Sequence, residues 1–464
     1  MIPPALPGAP ESWTRLPVST LFSLAEDELQ ALQLHWVRER FGELRTRIPA
    51  LHSLAEKQGV SYVQDFDALA ALLFSHQVYK SYPFTLIEEK RFNDLTRWLD
   101  KLTSQDLSDL DMSGVNSMDE WLARLDRAGM FVFHSTGTSG KLSFFPRSQT
   151  EKEAWVEGTY TFMEAFTPGI RGVHLPVFWP SYRSGRQAGM RLISHFGPAL
   201  AGIETEYHSL FDAPMSADFI SLAMRMQHAQ ARGDLKTIDT LKAIFRTRGE
   251  IVTLKARKAA VTRRFFEKMV REYRNRRVFL MASATDLLDV ALEGLRSGER
   301  RVFAPDSMLL TGGGFKGRRE IPAWKDILQE FYGVERVFLS YGMTELNTYH
   351  PACSKGVYHV FPWTIPLVLD EKGTPLPRHG VQTGRAGYFD LLAQTYWGGI
   401  LTGDRVTVHY DEPCGCGWRG PWIEDNVQRF TELLGGEDII SCAGVQSAYS
   451  DFMEYIAADV PEEA

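Results

Sequence analysis

The sequence predicts an α/β protein whose main sheet is mostly parallel. Short β-like runs occur at residues 278–282, 307–311 and 336–341, and helical stretches separate them. Such alternation is typical of parallel sheets, because each crossover helix returns the chain to the edge where the previous strand began. The composition agrees with this fold class: 44% of the 464 residues are apolar, which is ordinary for a globular protein with a buried core.

Different patterns flank this central region. Stretches such as EDELQALQLHWVRERFGELRTR carry apolar residues at helical spacing, and they predict a mainly helical N-terminal part. After about residue 355 the sequence changes to short strands with Gly and Pro turns, and a last helix is expected at 445–457. The predicted organisation is a flexible leader (1–12), a helical N-terminal region (13–130), an α/β core (131–355), a β-rich subdomain (356–432), and a hinge-like segment with a residual C-terminal tail (433–464).

Charge and hydropathy exclude several classes of protein. Asp and Glu (58) outnumber Lys and Arg (51), which argues against a general nucleic-acid binder, a class that carries basic excess. The most apolar run, residues 278–292, is interrupted by Asp286 and Asp289, so no membrane span is expected. The N-terminus has neither the basic cluster nor the apolar core of a secretory signal, and four cysteines are too few for a disulfide framework. We therefore expect a cytoplasmic protein.

The strongest local signal is the segment HSTGTSGK, which lies between two β-like runs. Its glycines let successive backbone N–H groups point at one anion, its four hydroxyls add donors, and its lysine adds a positive charge. It is not a Walker A loop, because Ser135 and Leu142 occupy positions where that motif needs other residues. The segment is either a phosphate-binding loop or a hairpin loop of common turn formers. The candidate residues are Ser135, Thr136, Gly137, Thr138, Ser139, Gly140 and Lys141.

Three later segments favour the phosphate-binding interpretation. TGGGFK (311–316), SYGMTE (340–345) and TGD (402–404) each follow a β-like stretch, where α/β sheets present ligand-binding loops. With these four segments in this order, residues 60–445 resemble the adenylate-forming superfamily of acyl-CoA synthetases, adenylation domains and luciferases. The resemblance is nearest to phenylacetate–CoA ligases and to the acyl-protein synthetases of bacterial bioluminescence, whose aromatic Pro-Ser-Tyr loop and Gly-Gly-aromatic-Lys segment look like LPVFWPSYRSGRQ and TGGGFKG here.

The resemblance implies both a fold and a reaction. The fold would be the large α/β domain of an adenylate-forming enzyme, with a helical N-terminal extension, a small β-rich subdomain that holds zinc, and only a residual C-terminal tail. The reaction would be Mg-ATP-dependent activation of a small apolar acyl or aryl carboxylic acid as acyl-AMP, with release of pyrophosphate. The acyl group would then pass to a thiol or amine acceptor, for example on a carrier protein.

The resemblance also implies roles for individual residues. The loop 135–141 would bind the triphosphate, Glu345 would hold Mg²⁺ because a hard cation prefers carboxylate oxygen, and Asp404 would accept hydrogen bonds from the ribose hydroxyls. Each of these residues also has an interpretation without a functional role: Asp404 caps a turn, Glu345 starts a solvated helix, and Arg429 forms a surface ion pair. Further residues implied to bind ATP or to act in catalysis are Gly313, Gly314, Lys316, Tyr341, Gly342 and Thr344, with Arg429 as a second ribose contact.

All four cysteines lie in the last quarter of the chain, and three of them form a candidate metal site with a histidine. Cys414 and Cys416 are separated by one glycine, and Cys353 precedes His359 by six positions. Three thiolates and one imidazole make the closed shell of structural zinc, and similar patterns occur in some phenylacetate–CoA ligases. The alternative is a set of reduced, partly buried thiols.

One feature departs from the family pattern. Typical members carry a mobile C-terminal domain with a catalytic lysine, whereas 26 residues follow Asp438 here and no lysine follows Lys372. The departure leaves open whether coenzyme A is the acceptor. Lys316 is a hypothetical substitute for part of the lysine's charge. Cys442 is either an acyl-accepting nucleophile, as in the acyl-protein synthetases, or an inert core thiol; the second is favoured because no histidine or lysine adjoins it.

Several other sequence patterns have two interpretations each. The segment 251–278 carries ten basic and two acidic side chains and is interpreted as a solvated helix face or as a dock for an acidic carrier protein. Arg183 and Arg186 either recognise an acid group or pair with surface carboxylates. Two other functions compete with acyl activation: transfer of AMP to a hydroxylated cofactor or metabolite, and nucleotide-dependent regulation without catalysis.

Overall fold

In the computed structural model, residues 6–135, 141–247, 250–312, 314–315, 321–434 and 456 are described. Their contacts divide the chain into two units. The terminal unit comprises residues 1–134, 143–168 and 343–464, and the central unit comprises residues 135–142 and 169–342. The N-terminal region and the β-rich region, which are far apart in the sequence, therefore belong to the same unit.

The N-terminal region is helical, as the sequence predicts. Its helices start where local chemistry favours a start: helix α4 (Pro49–Lys57) has proline at its first position, and Asp65 and Ser117 cap helices α5 (Phe66–Ala70) and α8 (Met118–Arg127) with side-chain oxygens. Leu6 is buried, and helix α1 begins at Pro10. The elements are α1 (Pro10–Trp13), α2 (Val18–Leu21), α3 (Glu26–Leu44), α4 (Pro49–Lys57), α5 (Phe66–Ala70), strand β1 (Phe74–Ser75), a 3₁₀-helix (Val78–Lys80), α6 (Thr85–Glu88), α7 (Phe92–Asp100) and α8 (Met118–Arg127).

The segment HSTGTSGK joins the two strands of a hairpin. Strands β2 (Phe131–His134) and β3 (Phe144–Arg147) pair antiparallel, with His134 opposite Phe144. Helix α9 (Gln149–Glu164) follows directly and starts with a capping box, in which Ser148 and Glu151 exchange side-chain-to-backbone hydrogen bonds. Residues 136–140 of the connecting loop lie outside the described residues.

The β-rich region of the terminal unit is built around one long strand, β13 (Gly399–His409). Across the described part of the chain, this sheet has seven strands. Five follow one another in the order β10 (Tyr358–His359), β14 (Trp422–Ile423), β13, β12 (Val381–Asp390) and β11 (Thr364–Leu369), and β1 and β15 (Gln428–Arg429) also pair with β13. The pairing of β1 with β13 is parallel and the other pairings are antiparallel. The elements are β9 (His350–Pro351), β10 (Tyr358–His359), β11 (Thr364–Leu369), β12 (Val381–Asp390), β13 (Gly399–His409), β14 (Trp422–Ile423), β15 (Gln428–Arg429) and α16 (Phe430–Leu434).

The central unit contains the predicted parallel sheet. Its strands run in the order β5 (Tyr207–Met215), β4 (Val177–Gly185), β6 (Phe279–Met281), β7 (Met308–Gly312) and β8 (Val337–Tyr341). Every neighbouring pair of these strands is parallel, and helices connect them. The three predicted β-like runs are confirmed as β6, β7 and β8. The elements are β4 (Val177–Gly185), α10 (Ala188–Ala201), a 3₁₀-helix (Glu204–Glu206), β5 (Tyr207–Met215), α11 (Ala217–Arg232), α12 (Leu235–Thr247), α13 (Glu250–Glu272), β6 (Phe279–Met281), α14 (Ala284–Arg296), β7 (Met308–Gly312), α15 (Trp324–Tyr332) and β8 (Val337–Tyr341).

Strands β7 and β8 approach closely at the end where the glycine-rich segments begin. A Cβ atom at Gly312 would lie 2.4 Å from the carbonyl oxygen of Ser340, a distance that backbone atoms cannot relieve without moving the strands. Glycine is therefore required at this position for packing. No helix among the described residues is long and apolar enough to cross a membrane. The helix predicted at 445–457 falls outside the described residues apart from position 456.

Candidate active site and metal centre

Glu345 lies in a partly buried position on the segment that follows β8. Burial raises the pKa of its carboxyl group, and the negative charge of Asp404 acts in the same direction. The positive charges of Arg429 and Lys80 lower this pKa. Glu345 therefore interacts electrostatically with one carboxylate and two cations from three other stretches of the terminal unit.

Asp404 and Arg429 are direct neighbours across strands β13 and β15. The register places the two residues opposite each other, and Nε of Arg429 lies 3.5 Å from Oδ1 of Asp404. The side chain of Asp404 is 14% exposed and that of Arg429 is 56% exposed. The ion pair that was the alternative interpretation of Arg429 is therefore present. This ion pair also places Arg429 beside Asp404, the carboxylate expected to bind ribose.

Lys80 is a member of this group that the sequence analysis missed. It ends the 3₁₀-helix Val78–Lys80. Burial lowers the pKa of its ammonium group, and the negative charge of Glu345 raises it. The neighbouring Tyr79 is fully buried and donates a hydrogen bond to the carbonyl oxygen of Trp397 at 3.1 Å. No local pattern around Tyr-Lys-Ser marks this lysine, because its position depends on the pairing of β1 with β13.

Of the other predicted site residues, Thr344 is partly buried beside Glu345 in the terminal unit, and the described ones that follow belong to the central unit. Tyr341 is buried at the end of β8, Gly342 follows it, and Gly314 has a positive φ of 61° that glycine adopts without strain. Ser135 and Lys141, at the two ends of the hairpin loop, are partly buried. Five residues of that loop (Thr136, Gly137, Thr138, Ser139 and Gly140), together with Gly313, Lys316 and Cys442, lie outside the described residues.

Arg183 forms the surface ion pairs that were one of its two interpretations. Its guanidinium contacts the carboxylate of Glu204, and its Nε lies 3.5 Å from Oδ1 of Asp212. Its Nη1 also donates a hydrogen bond to the carbonyl oxygen of Tyr207 at 3.0 Å, and the hydroxyl of Tyr207 donates one back to the carbonyl of Arg183 at 2.9 Å. These contacts use the guanidinium to join β4 to β5.

The four predicted metal ligands converge on one point. The ligand atoms of Cys353, His359, Cys414 and Cys416 all lie within 4.8 Å of one another. The sulfur atoms of Cys353 and Cys414 are 3.8 Å apart, and Nε2 of His359 lies 3.0 Å from Cys414 Sγ and 3.3 Å from Cys416 Sγ. A tetrahedral zinc ion with Zn–S bonds of about 2.3 Å places its ligands about 3.5–3.8 Å apart. The two sulfur atoms match this separation, and the two contacts of His359 are somewhat shorter. The residue types and their convergence on one point therefore suit zinc.

Local structure prepares these side chains for a metal ion. Backbone N–H groups of Lys355 and Trp418 point at the sulfurs of Cys353 and Cys416, each at 3.4 Å, and such contacts stabilise thiolates. Burial lowers the pKa of His359 to about 4, so its imidazole is neutral and can offer Nε2 as a ligand. The three cysteines of the cluster are free thiols and form no disulfide with one another.

An aromatic layer covers the cluster. The ring of Phe22 stacks on Trp418 with a centroid distance of 4.7 Å and meets His359 edge-on at 5.6 Å. The backbone N–H of Arg419 donates a hydrogen bond to the carbonyl of Phe22 at 2.9 Å. The cluster is therefore shielded on this side and linked to the N-terminal region, as expected of a structural site.

Comparison with solved structures identifies the fold. No family model matches the sequence, and a comparison with curated proteins gives no match. The chain superimposes on 2-hydroxyisobutyryl-CoA ligase, in complex with 2-HIB-AMP and CoA in the thioesterification state, with a TM-score of 0.51 and 13% identity over 91% of this chain and 72% of the ligase. The open conformation of that ligase gives 0.48, with 12% identity over 88% and 71% of the two chains.

A more distant likeness extends to ATP-bound MatB from Rhodopseudomonas palustris, with a TM-score of 0.33 and 15% identity over 63% of this chain and 46% of MatB. The assignment of the fold rests on the ligase structure with the TM-score of 0.51. The predicted resemblance to adenylate-forming enzymes is confirmed as a likeness of fold, and so is the predicted α/β fold class. At 13% identity the superposition establishes the fold alone, and the function is argued from the site.

Proposed function

We propose that this protein is an ATP-dependent ligase that activates a carboxylic acid as acyl-AMP and then transfers the acyl group to a thiol or amine acceptor. The observation that carries the proposal is the cluster of Glu345, Asp404, Arg429 and Lys80 in a chain with this fold. Glu345 and Asp404 belong to two of the sequence segments that define the resemblance. The aligned ligase forms a complex with 2-HIB-AMP and CoA, which supports the same kind of first step here.

The chemistry of these groups suits adenylation. An oxygen of the substrate carboxylate attacks the α-phosphorus of ATP, the bond from that phosphorus to the bridging oxygen breaks, and pyrophosphate leaves. Negative charge develops on the phosphates during this step, and fixed cations stabilise it. In this proposal Lys80 and Lys141 supply such charge, the hydroxyls of residues 135–139 and Thr344 donate hydrogen bonds, and Asp404 accepts hydrogen bonds from the ribose.

Magnesium and zinc would have separate roles in this protein. Mg²⁺ is held in proteins by one or two carboxylates together with substrate phosphates, and the partly buried carboxylate of Glu345 fits that donor set. Bound Mg²⁺ would neutralise phosphate charge. The Cys₃His cluster would hold Zn²⁺ with no ligand position left open, so its role is to stabilise the fold. It joins the chain after Glu345 to the chain after Asp404.

A pyrophosphate-release assay tests the proposed function. Mg-ATP is supplied with fatty, aromatic or amino acids, and the product mass is recorded. Acid-dependent release with the mass of an acyl-AMP supports the proposal. Glu345→Gln should lower the rate about 100-fold or more, and Glu371→Gln, an exposed turn glutamate, serves as the matched control. An AMP adduct of a hydroxylated compound, formed without any acid, would contradict the proposal and establish AMP transfer instead.

A further inference from the structure

The backbone on either side of Glu345 is held by one buried arginine. Arg147 ends strand β3 and is fully buried. Its Nη2 donates hydrogen bonds to the carbonyl oxygens of Thr344, at 2.7 Å, and Leu346, at 3.1 Å. A single guanidinium therefore fixes the carbonyls before and after the residue proposed to hold magnesium.

The environment of Arg147 is aromatic. Its guanidinium carbon lies 4.3 Å from the ring centre of Phe133, 5.2 Å from that of Trp155 and 5.7 Å from that of Tyr396. Nε and Nη1 have no hydrogen-bond partner among the residues that the structure describes. Burying a charge in this way is costly. The hydrogen bonds to the two carbonyls beside Glu345 offset part of this cost, and so does the nearby carboxyl group of Asp390. The hydrogen-bonding partners of Arg147 are therefore the backbone groups on either side of Glu345.

Tyr396 holds the carbonyl that lies between these two. Its hydroxyl donates to the carbonyl oxygen of Glu345 at 2.7 Å and accepts a hydrogen bond from Nδ2 of Asn347 at 3.1 Å. The backbone N–H of Asn347 donates to Oδ2 of Asp390 at 2.5 Å. Three consecutive carbonyls, at 344, 345 and 346, and the next N–H are thus each bonded to a buried side chain.

We propose that Arg147 and Tyr396 are positioning residues for Glu345, which hold its backbone so that its carboxylate is presented to the metal ion in one fixed orientation. This inference rests on the proposed role of Glu345. Neither residue belongs to the motifs that define the resemblance. Pre-organisation of this kind lowers the cost of ordering a ligand at the moment of binding. Its loss should therefore weaken metal binding more than it weakens the fold.

Tyr396→Phe tests the proposal, and Tyr332→Phe is its matched control. Both tyrosines are fully buried, and each donates a hydrogen bond to a backbone carbonyl: Tyr396 to Glu345 and Tyr332 to Leu287, at 3.1 Å, within the central unit. Each change removes one hydrogen bond to a carbonyl, and Tyr396→Phe should cost more stability, because it also removes the acceptor of Asn347 Nδ2. Melting temperatures of both variants measure that cost. A difference between the two variants in metal binding, or in hydrogen exchange around Glu345, reports positioning of Glu345. A general loss of stability would affect both variants.

Two readouts do not depend on turnover. Binding of Mn²⁺ in the presence of α,β-methylene-ATP, measured by electron paramagnetic resonance, should weaken about fivefold in Tyr396→Phe and stay within twofold in Tyr332→Phe. Hydrogen exchange measured by mass spectrometry should accelerate in the peptide covering 343–349 in Tyr396→Phe only. Equal Mn²⁺ affinity and equal exchange in the two variants would overturn the proposal.

The design separates this inference from the proposed function. If the wild-type protein released no pyrophosphate with any acid, the proposed function would fail, while the exchange measurement would still decide whether Tyr396 and Arg147 order the segment. Arg147→Met, which keeps an apolar chain of similar length, should accelerate exchange at 343–349 further, because two carbonyls lose their donor. Unchanged exchange in this variant would also contradict the proposal.

Discussion

Arg429 lies opposite Asp404 in the β13–β15 ladder, with its Nε 3.5 Å from the carboxylate. The two side chains differ in exposure: the arginine side chain is 56% exposed and the aspartate side chain is 14% exposed. An exposed ion pair contributes less than about 1 kcal/mol, whereas a charged acceptor that binds two hydroxyls contributes about 1.5–3 kcal/mol for each hydrogen bond. The two residues should therefore differ greatly in their effect on nucleotide binding.

We expect Asp404→Ala to raise the Michaelis constant for ATP at least tenfold, and Arg429→Ala to raise it less than threefold. Steady-state pyrophosphate release at varied ATP concentration measures both. If Arg429→Ala had the larger effect, Arg429 would be a ribose contact in its own right and the expected order of the two effects would be wrong. Equal binding of ATP and 2′,3′-dideoxy-ATP by Asp404→Ala would show that the lost interaction was with the ribose hydroxyls.

Lys80 is expected to act on the rate of adenylation. Its charge interacts with that of Glu345, and its neighbour Tyr79 fixes the 3₁₀-helix by a hydrogen bond to Trp397. Lys80→Met keeps the length of the side chain and removes the charge, so kcat for pyrophosphate release should fall about 10- to 100-fold, with a smaller change in the Michaelis constant for ATP.

Two variants complete the test of Lys80. Lys80→Arg restores the charge and should recover most of the rate, and Lys372→Met, at an exposed turn lysine, should leave it unchanged. A kcat for Lys80→Met within twofold of that of the wild type would remove Lys80 from the mechanism. A loss of rate with a large fall in melting temperature would point instead to a role in the fold.

The contrast between Glu345 and its supporting residues shows what the sequence could reveal. Glu345 and Asp404 lie in short segments whose composition and order are recognisable, and the strands before them follow hydrophobic patterns that are local in sequence. Lys80 and Arg147 act on Glu345 from 265 and 198 positions away along the chain. Their contacts arise from strand pairing and core packing, and neither process leaves a periodic pattern near the residues themselves.

The zinc ligands, in contrast, could be predicted because they form patterns that are local in the sequence. Cys414-Gly-Cys416 is a local pattern, and Cys353 and His359 lie on either side of one turn, so the residue types alone indicate a closed shell. The purified protein should contain about one zinc ion per chain, as measured by inductively coupled plasma mass spectrometry. Cys414→Ala should lose most of this zinc and melt at a lower temperature, because metal-binding energy contributes to folding.

Cys442→Ala provides the matched control for the zinc prediction, since it is the one cysteine that the sequence analysis placed outside the ligand set. It should retain zinc and the melting temperature of the wild type. Loss of zinc in Cys442→Ala with retention in Cys414→Ala would mean that the ligands were wrongly assigned. A full complement of zinc in both variants would place the ion at another site.

Asp390 predicts how stability depends on pH. Burial raises the pKa of this carboxyl group to about 6, while the N–H groups of Asn347 and Leu392 and the charge of Arg147 partly oppose the rise. Its pKa in the unfolded chain is about 3.9, so the folded protein binds the proton more tightly. The resulting stabilisation is present below about pH 4 and is lost as the pH rises through 6, by up to about 3 kcal/mol.

Asp390→Asn removes this titration, although it also exchanges a carboxylate acceptor for an amide. We expect the free energy of unfolding of the wild type, minus that of Asp390→Asn, to fall as the pH rises from 4 to 7. Urea unfolding at several pH values measures this difference, and the subtraction removes the contributions of other carboxyl groups that titrate equally in both proteins. A difference that rises over this range would mean that the folded protein prefers the ionised carboxylate, and that the hydrogen bonds from Asn347 and Leu392 outweigh burial.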